Sequence, residues 1–171
     1  MIKKILILTT FITLFFPIKS KANNYEYCNS YDLKFLFKKI YNVELCAEDK
    51  KMLNYKNIYN QNFILTIKYN INFTKKELVE SSLSEIIRYN KINDTKQEAY
   101  SRILQNLFPS VQKNDIISAI YNKNGNLQFY YNNKNYSSTK DKDFNRDFLN
   151  IWLHKDNKYK KMTQKLYENR F

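Results

Sequence analysis

Between Leu33 and Leu166 the spacing of apolar residues changes from two to about 3.6, returns to two, and changes once more, and this succession restricts the fold more than any other feature. Leu33, Phe35, Phe37, Tyr41, Val43 and Leu45 fall on one side of an alternating pattern, with Asp32, Lys34, Lys38, Asn42 and Glu44 on the other. That pattern predicts extended chain with one buried face over 33–47, as two strands or one long bent strand. Residues 47–60 are polar and unpatterned and read as a loop. Phe63, Leu65, Ile67, Tyr69 and Ile71 then alternate with polar partners and give the clearest strand of the chain.

Two helices are predicted next. Thr74 with Glu77, and Thr95 with Glu98, fit the T-x-x-E capping box, in which side chains satisfy the first free backbone N–H groups. One-sided apolar stripes follow each: Leu78, Val79, Leu83, Ile86 and Ile87, then Ala99, Tyr100, Ile103, Leu104 and Leu107, with Pro109 as the stop. Strands are expected at Ile116–Tyr121 and Leu127–Tyr131, joined by a tight Asn124-Gly125 turn whose two central residues must tolerate positive φ. A short strand near Tyr136 and two final helices complete the pattern, one marked by Phe144, Phe148, Ile151 and Trp152, the other by Tyr159, Met162 and Leu166 and capped by Asp156. Runs of strands and runs of helices in this order make an α+β fold, an antiparallel sheet with helices on one side.

Residues 1–22 read as a cleavable signal peptide: Lys3 and Lys4, a 14-residue apolar run from Ile5 to Ile18, then Ser20-Lys21-Ala22. The run is shorter than the roughly 20 residues that cross a bilayer, so no transmembrane anchor is expected after cleavage. Residues 23–171 then form one domain, periplasmic or secreted. Of the 29 basic residues, four precede the cleavage site, which leaves 25 against 16 acidic residues and a net charge of +9. The excess suits anionic envelope components, but the basic residues are scattered rather than clustered. Cys28 and Cys46 form either a disulfide, as an oxidising compartment permits, or two separate thiols, one of them in an N-terminal arm.

The run LFPSVQKNDIISAIYNKNGNLQFYYNNK, the downstream DFNRDFLNIWL and the upstream FKKIYNVELC and ILTIKYNINFTKKELVESSLSEI, taken in order, resemble the bacterial exported branch of the chalcone isomerase-like family. The resemblance implies an open-faced β-sandwich, a curved antiparallel sheet packed against a layer of helices with a ligand cleft between. It also implies one of two activities: intramolecular ring closure of a chalcone, or non-catalytic binding of fatty acids. The catalytic members use an arginine and a threonine on early strands, and a tyrosine and an asparagine around the first helix. Here Lys39 stands at the threonine's place, and Thr74 and Ser81 stand at those of the tyrosine and asparagine. Arg88, Arg102, Arg146 and Arg170 all lie in predicted helices or at the C-terminus. The cation and donors that a phenolate and an enone oxygen require are not supplied.

Other chemistry finds little footing. His154, the single histidine, sits at a helix end and suits its dipole, without partners for a metal site or a triad. Gly125 is the one glycine, so no phosphate-cradling loop exists, and no cofactor is expected. The 15 tyrosines and 12 phenylalanines fall at core spacing, which argues against nucleic-acid stacking. Lys39 has two readings: a cleft lysine pairing with a ligand carboxylate, helped by Tyr41 and Tyr69, or a residue at a β-bulge whose ammonium reaches water. The expectation is therefore an exported, non-enzymatic protein that binds a small amphipathic or fatty-acid-like ligand in the sheet–helix cleft, with Lys39, Tyr41 and Tyr69 as its candidate contacts and the bulge as the favoured reading of Lys39. An intramolecular lyase or isomerase of unknown substrate, and a basic protein on anionic envelope polymers, are the alternatives.

Overall fold

A computed structural model describes residues 25–168, so the expected signal peptide at 1–22 and Arg170 lie outside the described residues. The described chain forms one six-stranded antiparallel sheet in sequential order: β1 (Tyr27–Phe35), β2 (Lys38–Ala47), β3 (Phe63–Tyr69), β4 (Ile116–Tyr121), β5 (Leu127–Tyr131) and β6 (Lys134–Thr139). Helices α1 (Lys75–Asn90) and α2 (Asp94–Leu107) connect β3 to β4, and α3 (Lys142–Leu153) and α4 (Lys160–Leu166) follow β6. The architecture is α+β, an open sheet with four helices, as the apolar periods require.

The core lies between the sheet's inner face and the helices. Val43, Leu45 and Ala47 of β2, Phe63, Leu65 and Ile67 of β3, and Phe144, Phe148 and Trp152 of α3 are all buried. Phe148 carries the aromatic packing, with Phe144, Phe129 and Trp152 each within 5.8 Å, centroid to centroid. Asn145, fully buried, donates to the carbonyls of Gly125 and Thr139, which fixes the start of α3 against the ends of two hairpins.

The first hairpin selects the two-strand reading of 33–47 and the bulge beside Lys39, and corrects which residues are buried and where the first strand begins. Chain 33–47 is two strands, and the first begins at Tyr27. Leu36 and Phe37 form the turn with φ of 44° and 68°, a left-handed pair usually given to Asn and Gly. Phe35 and Phe37 therefore do not share the buried face with Leu33 and Tyr41. They stand in the open with Leu36: Phe35 is 68% exposed, Leu36 79% and Phe37 101%. A bulge between Leu33 and Lys34 then resets the register, pairing Leu33 with Tyr41 and Lys34 with Lys39.

Four smaller expectations also change. The second helix is capped by Asn93, whose Oδ1 accepts from Lys96 N at 2.9 Å, so Thr95 lies inside the helix. Asn is the stronger cap. Asp156 does not cap α4; the neighbouring Asn157 is the buried residue there, accepting from Tyr159 N at 2.8 Å and donating to the carbonyls of Ile151 and Trp152. In the β4–β5 turn only Gly125 has positive φ, at 94°, and the two-residue left-handed turn is Asn132-Asn133 between β5 and β6. The 47–60 loop contains two 3-10 turns, and Leu53 and Ile58 anchor it in the core.

Candidate ligand cleft

An apolar cleft of about 210 Å³ opens between the inner face of β1–β3 and helices α1 and α3. Its sheet wall is Leu33, Ile40, Tyr41, Ile67 and Tyr69; Leu78 and Ser82 of α1 and Ile151 and Trp152 of α3 face them. Ile40 reaches the cleft because the bulge places it beside Tyr41 on the inner side. The same displacement turns Lys39 outward, where its ammonium pairs with Asp32 at 2.7 Å. That hydrogen bond, with a second from Asn42, holds the Asp32 carboxyl below its ordinary value.

Tyr41 and Tyr69 meet on the cleft wall, their rings edge to face at 6.5 Å. The Tyr41 oxygen accepts from Trp152 Nε1 at 3.2 Å, which leaves its own proton to be donated. Tyr69 is 3% exposed and its hydroxyl has no hydrogen-bond partner among the described residues. Ser82, also buried, is likewise without one. Burial raises both phenols above the ordinary tyrosine range, so they remain neutral donors at physiological pH. Three hydroxyls thus face one apolar space.

No arginine or lysine lines this cleft among the described residues. Glu85 is its charged member, at the rim, paired with Arg88 at 2.7 Å and with Lys158 at 3.9 Å. Arg146 lies over the Tyr59 ring, 4.8 Å from its centroid, and Arg102 is exposed on α2. Thr74 caps α1 by accepting from Glu77 N, within the full capping box expected there. Ser81 is at the exposed rim and donates to Leu78 O. His154 ends α3 and stacks on Tyr89, its Nδ1 accepting from Asp156 N.

The structure brings together Tyr41 and Tyr69 of the expected trio and excludes Lys39. Cys28 and Cys46 face each other across β1 and β2 and are joined as a disulfide. Trp152, Ser82 and Glu85 were not anticipated as cleft residues. Two signals were available: Ser82 interrupts the stripe Leu78–Ser82–Ile86, and a buried indole N–H needs an acceptor.

An open antiparallel sheet packed against helices, with a hydroxyl-lined apolar cleft between them, defines an open-faced β-sandwich. The sequence pattern of the chalcone isomerase-like family matches residues 33–167, and the chain belongs to that family. Among solved structures it is similar to an Arabidopsis thaliana fatty-acid binding protein, with a TM-score of 0.56 and 12% identity over 83% of this chain and 84% of that one. That likeness is one of fold. No curated protein matches the chain in sequence.

Proposed function

We propose that this protein is an exported, non-catalytic binding protein whose cleft takes a short lipid-like ligand. The observation that carries the reading is the Tyr69 hydroxyl, which opens on an apolar cleft and has no protein hydrogen-bond partner among the described residues. A donor that no protein group satisfies, set in a largely apolar cleft, is free to meet a ligand acceptor, and an amphiphile's head oxygen is such an acceptor. The family includes the fold of a fatty-acid binding protein, which favours a chain-bearing ligand over a polar metabolite. Without a lining cation, the head group is held by hydroxyl donors from Tyr69, Tyr41 and Ser82 rather than by an ion pair. The cleft is smaller than the roughly 300 Å³ at which drug-sized sites begin, so the chain is short or the rim opens on binding. Ring closure of a chalcone is disfavoured, because a phenolate in this cleft would meet Glu85 and no cation.

Export rests on the leader-like pattern of residues 1–22 and is supported by the Cys28–Cys46 bridge, a bond that persists in oxidising compartments. Native mass spectrometry of protein purified from the envelope fraction tests the binding. A co-purifying amphiphile, together with a rise in Tm on adding medium-chain fatty acids or alcohols, is the expected result. A ligand-free mass with no thermal response to either series overturns it.

A further inference from the structure

The three most exposed large apolar residues among those described are consecutive, Phe35, Leu36 and Phe37, and they form the tip of the β1–β2 hairpin. Nothing in the fold calls for them there. The turn has positive φ at both central positions, where a Leu and a Phe are conformationally disfavoured and an Asn-Gly pair would be relaxed. Water meets nearly all of the Phe37 surface, so the tip gains no burial in return.

The surroundings of the tip are basic. Lys34 and Lys38 flank it, are exposed, and have no carboxylate within 4 Å among the described residues. Asp32, the nearby acid, is occupied by Lys39 at 2.7 Å. An open groove runs from Lys34 along the free edge of β1 to Lys161 and Lys165 of α4. Aromatic and aliphatic side chains at a projecting tip, with lysines set back from it, match the layering of a bilayer surface: acyl chains below, anionic headgroups above.

We propose that the β1–β2 hairpin tip is a membrane-docking element: Phe35, Leu36 and Phe37 enter the acyl boundary of a bilayer whose anionic headgroups are met by Lys34 and Lys38. A second copy of the chain is a poorer occupant, because apposed tips bring like charges together over an area of three side chains. The docking stands whether or not the cleft holds a lipid. Its position also suits delivery, since Leu33 and Ile40 of the same hairpin line the cleft.

The described strands, helices and core lie within residues 25–168, and cleavage of the expected signal peptide leaves chain 23–171, which is the form to test. Vesicles of equimolar phosphatidylglycerol and phosphatidylcholine are compared with pure phosphatidylcholine by co-sedimentation. The expected result is binding to the anionic vesicles that weakens with added salt. In Phe37→Trp, emission shifts to the blue on binding and is quenched by brominated lipid. The double variant L36N/F37G, which suits the turn, is expected to bind at least about tenfold more weakly while its Tm is not lowered. Unchanged partitioning of L36N/F37G, or failure of the parent chain to bind either vesicle, overturns the proposal. So does a tip-dependent dimer in sedimentation velocity without lipid, accompanied by no brominated-lipid quenching in the Phe37→Trp variant.

Discussion

Trp152 Nε1 donates to the Tyr41 hydroxyl at 3.2 Å, tying α3 to β2 across the cleft. Trp152 is buried, and the Tyr41 hydroxyl is the acceptor its indole N–H finds. Tyr41→Phe leaves the indole N–H unsatisfied and is expected to cost about 1–3 kcal/mol in urea unfolding. Trp152→Phe in the same background restores most of the loss that is due to the orphaned donor, because both polar groups are then gone. A double-mutant cycle with no coupling between the two positions contradicts the geometry.

Tyr69→Phe should behave in the opposite way. Its hydroxyl has no partner to lose, so the stability of the free protein is expected to stay within about 0.5 kcal/mol of the parent or to rise slightly. Affinity for the fatty acid or alcohol selected by the thermal-shift series should fall about five- to tenfold, equivalent to one hydrogen bond of about 1–1.4 kcal/mol. Isothermal titration beside urea melts separates the two effects. A variant that loses stability but keeps affinity refutes the assignment of Tyr69 to the ligand.

How far such a cleft could be read from the chain depends on which signals were local. The strands and helices followed from apolar period, and the capping box at Thr74 was found where its four-residue pattern lies. Tyr41 and Tyr69 were legible because alternation alone assigns both to inner faces. The tip at Leu36-Phe37 was not legible, because turn chemistry is inferred from Asn, Gly and Asp, and two apolar residues in the left-handed region imitate a continuing strand. The same imitation makes alternation assign Phe35 and Phe37 to the buried face and start the strand at Leu33, whereas β1 begins at Tyr27. Trp152 on α3 and Ser82 on α1 converge only through tertiary packing, which no single stretch of sequence encodes.

The disulfide links β1, an edge strand, to β2 and closes an interval of 18 residues. The loop-entropy relation gives about 3 kcal/mol for a loop of this length. Beyond its bonds to β2, β1 is held from the helix side by Asn29, whose Nδ2 donates to Leu166 O at 3.2 Å. Reduction, or Cys28→Ser with Cys46→Ser, is therefore expected to lower the urea midpoint and to speed hydrogen exchange in β1 before the rest of the sheet. Equal exchange in β1 with and without reductant would show that the bridge is not what secures that edge.

Acid should loosen the opposite end of the sheet. The Asp115 carboxylate accepts from Gln112 N at 2.7 Å, from the Asn132 amide and from the Tyr131 hydroxyl, and these bonds hold it below its ordinary value. A depressed carboxyl contributes stability that is complete above its unfolded value, near 4, and that disappears as pH falls through the lower folded value. Urea midpoints measured from pH 6 downward are expected to decline below about pH 4, and Asp115→Asn should flatten part of that decline. An unchanged acid limb in Asp115→Asn removes this carboxylate as a cause.

The hairpin tip allows a stability test independent of any lipid. Left-handed backbone costs an L-residue with a Cβ about 1 kcal/mol or more, least for Asn and nothing comparable for Gly, and both Leu36 and Phe37 are in that region. Their side chains are too exposed to recover the cost by packing. L36N/F37G is therefore expected to raise stability by about 1–2 kcal/mol, read as a higher urea midpoint with an unchanged slope. A gain of that size means the parent turn is held at the expense of folding stability, as a surface element shaped for an external contact would be. A loss instead means that Leu36 or Phe37 packs against the protein in solution, and the exposed tip is then not the resting geometry of the hairpin.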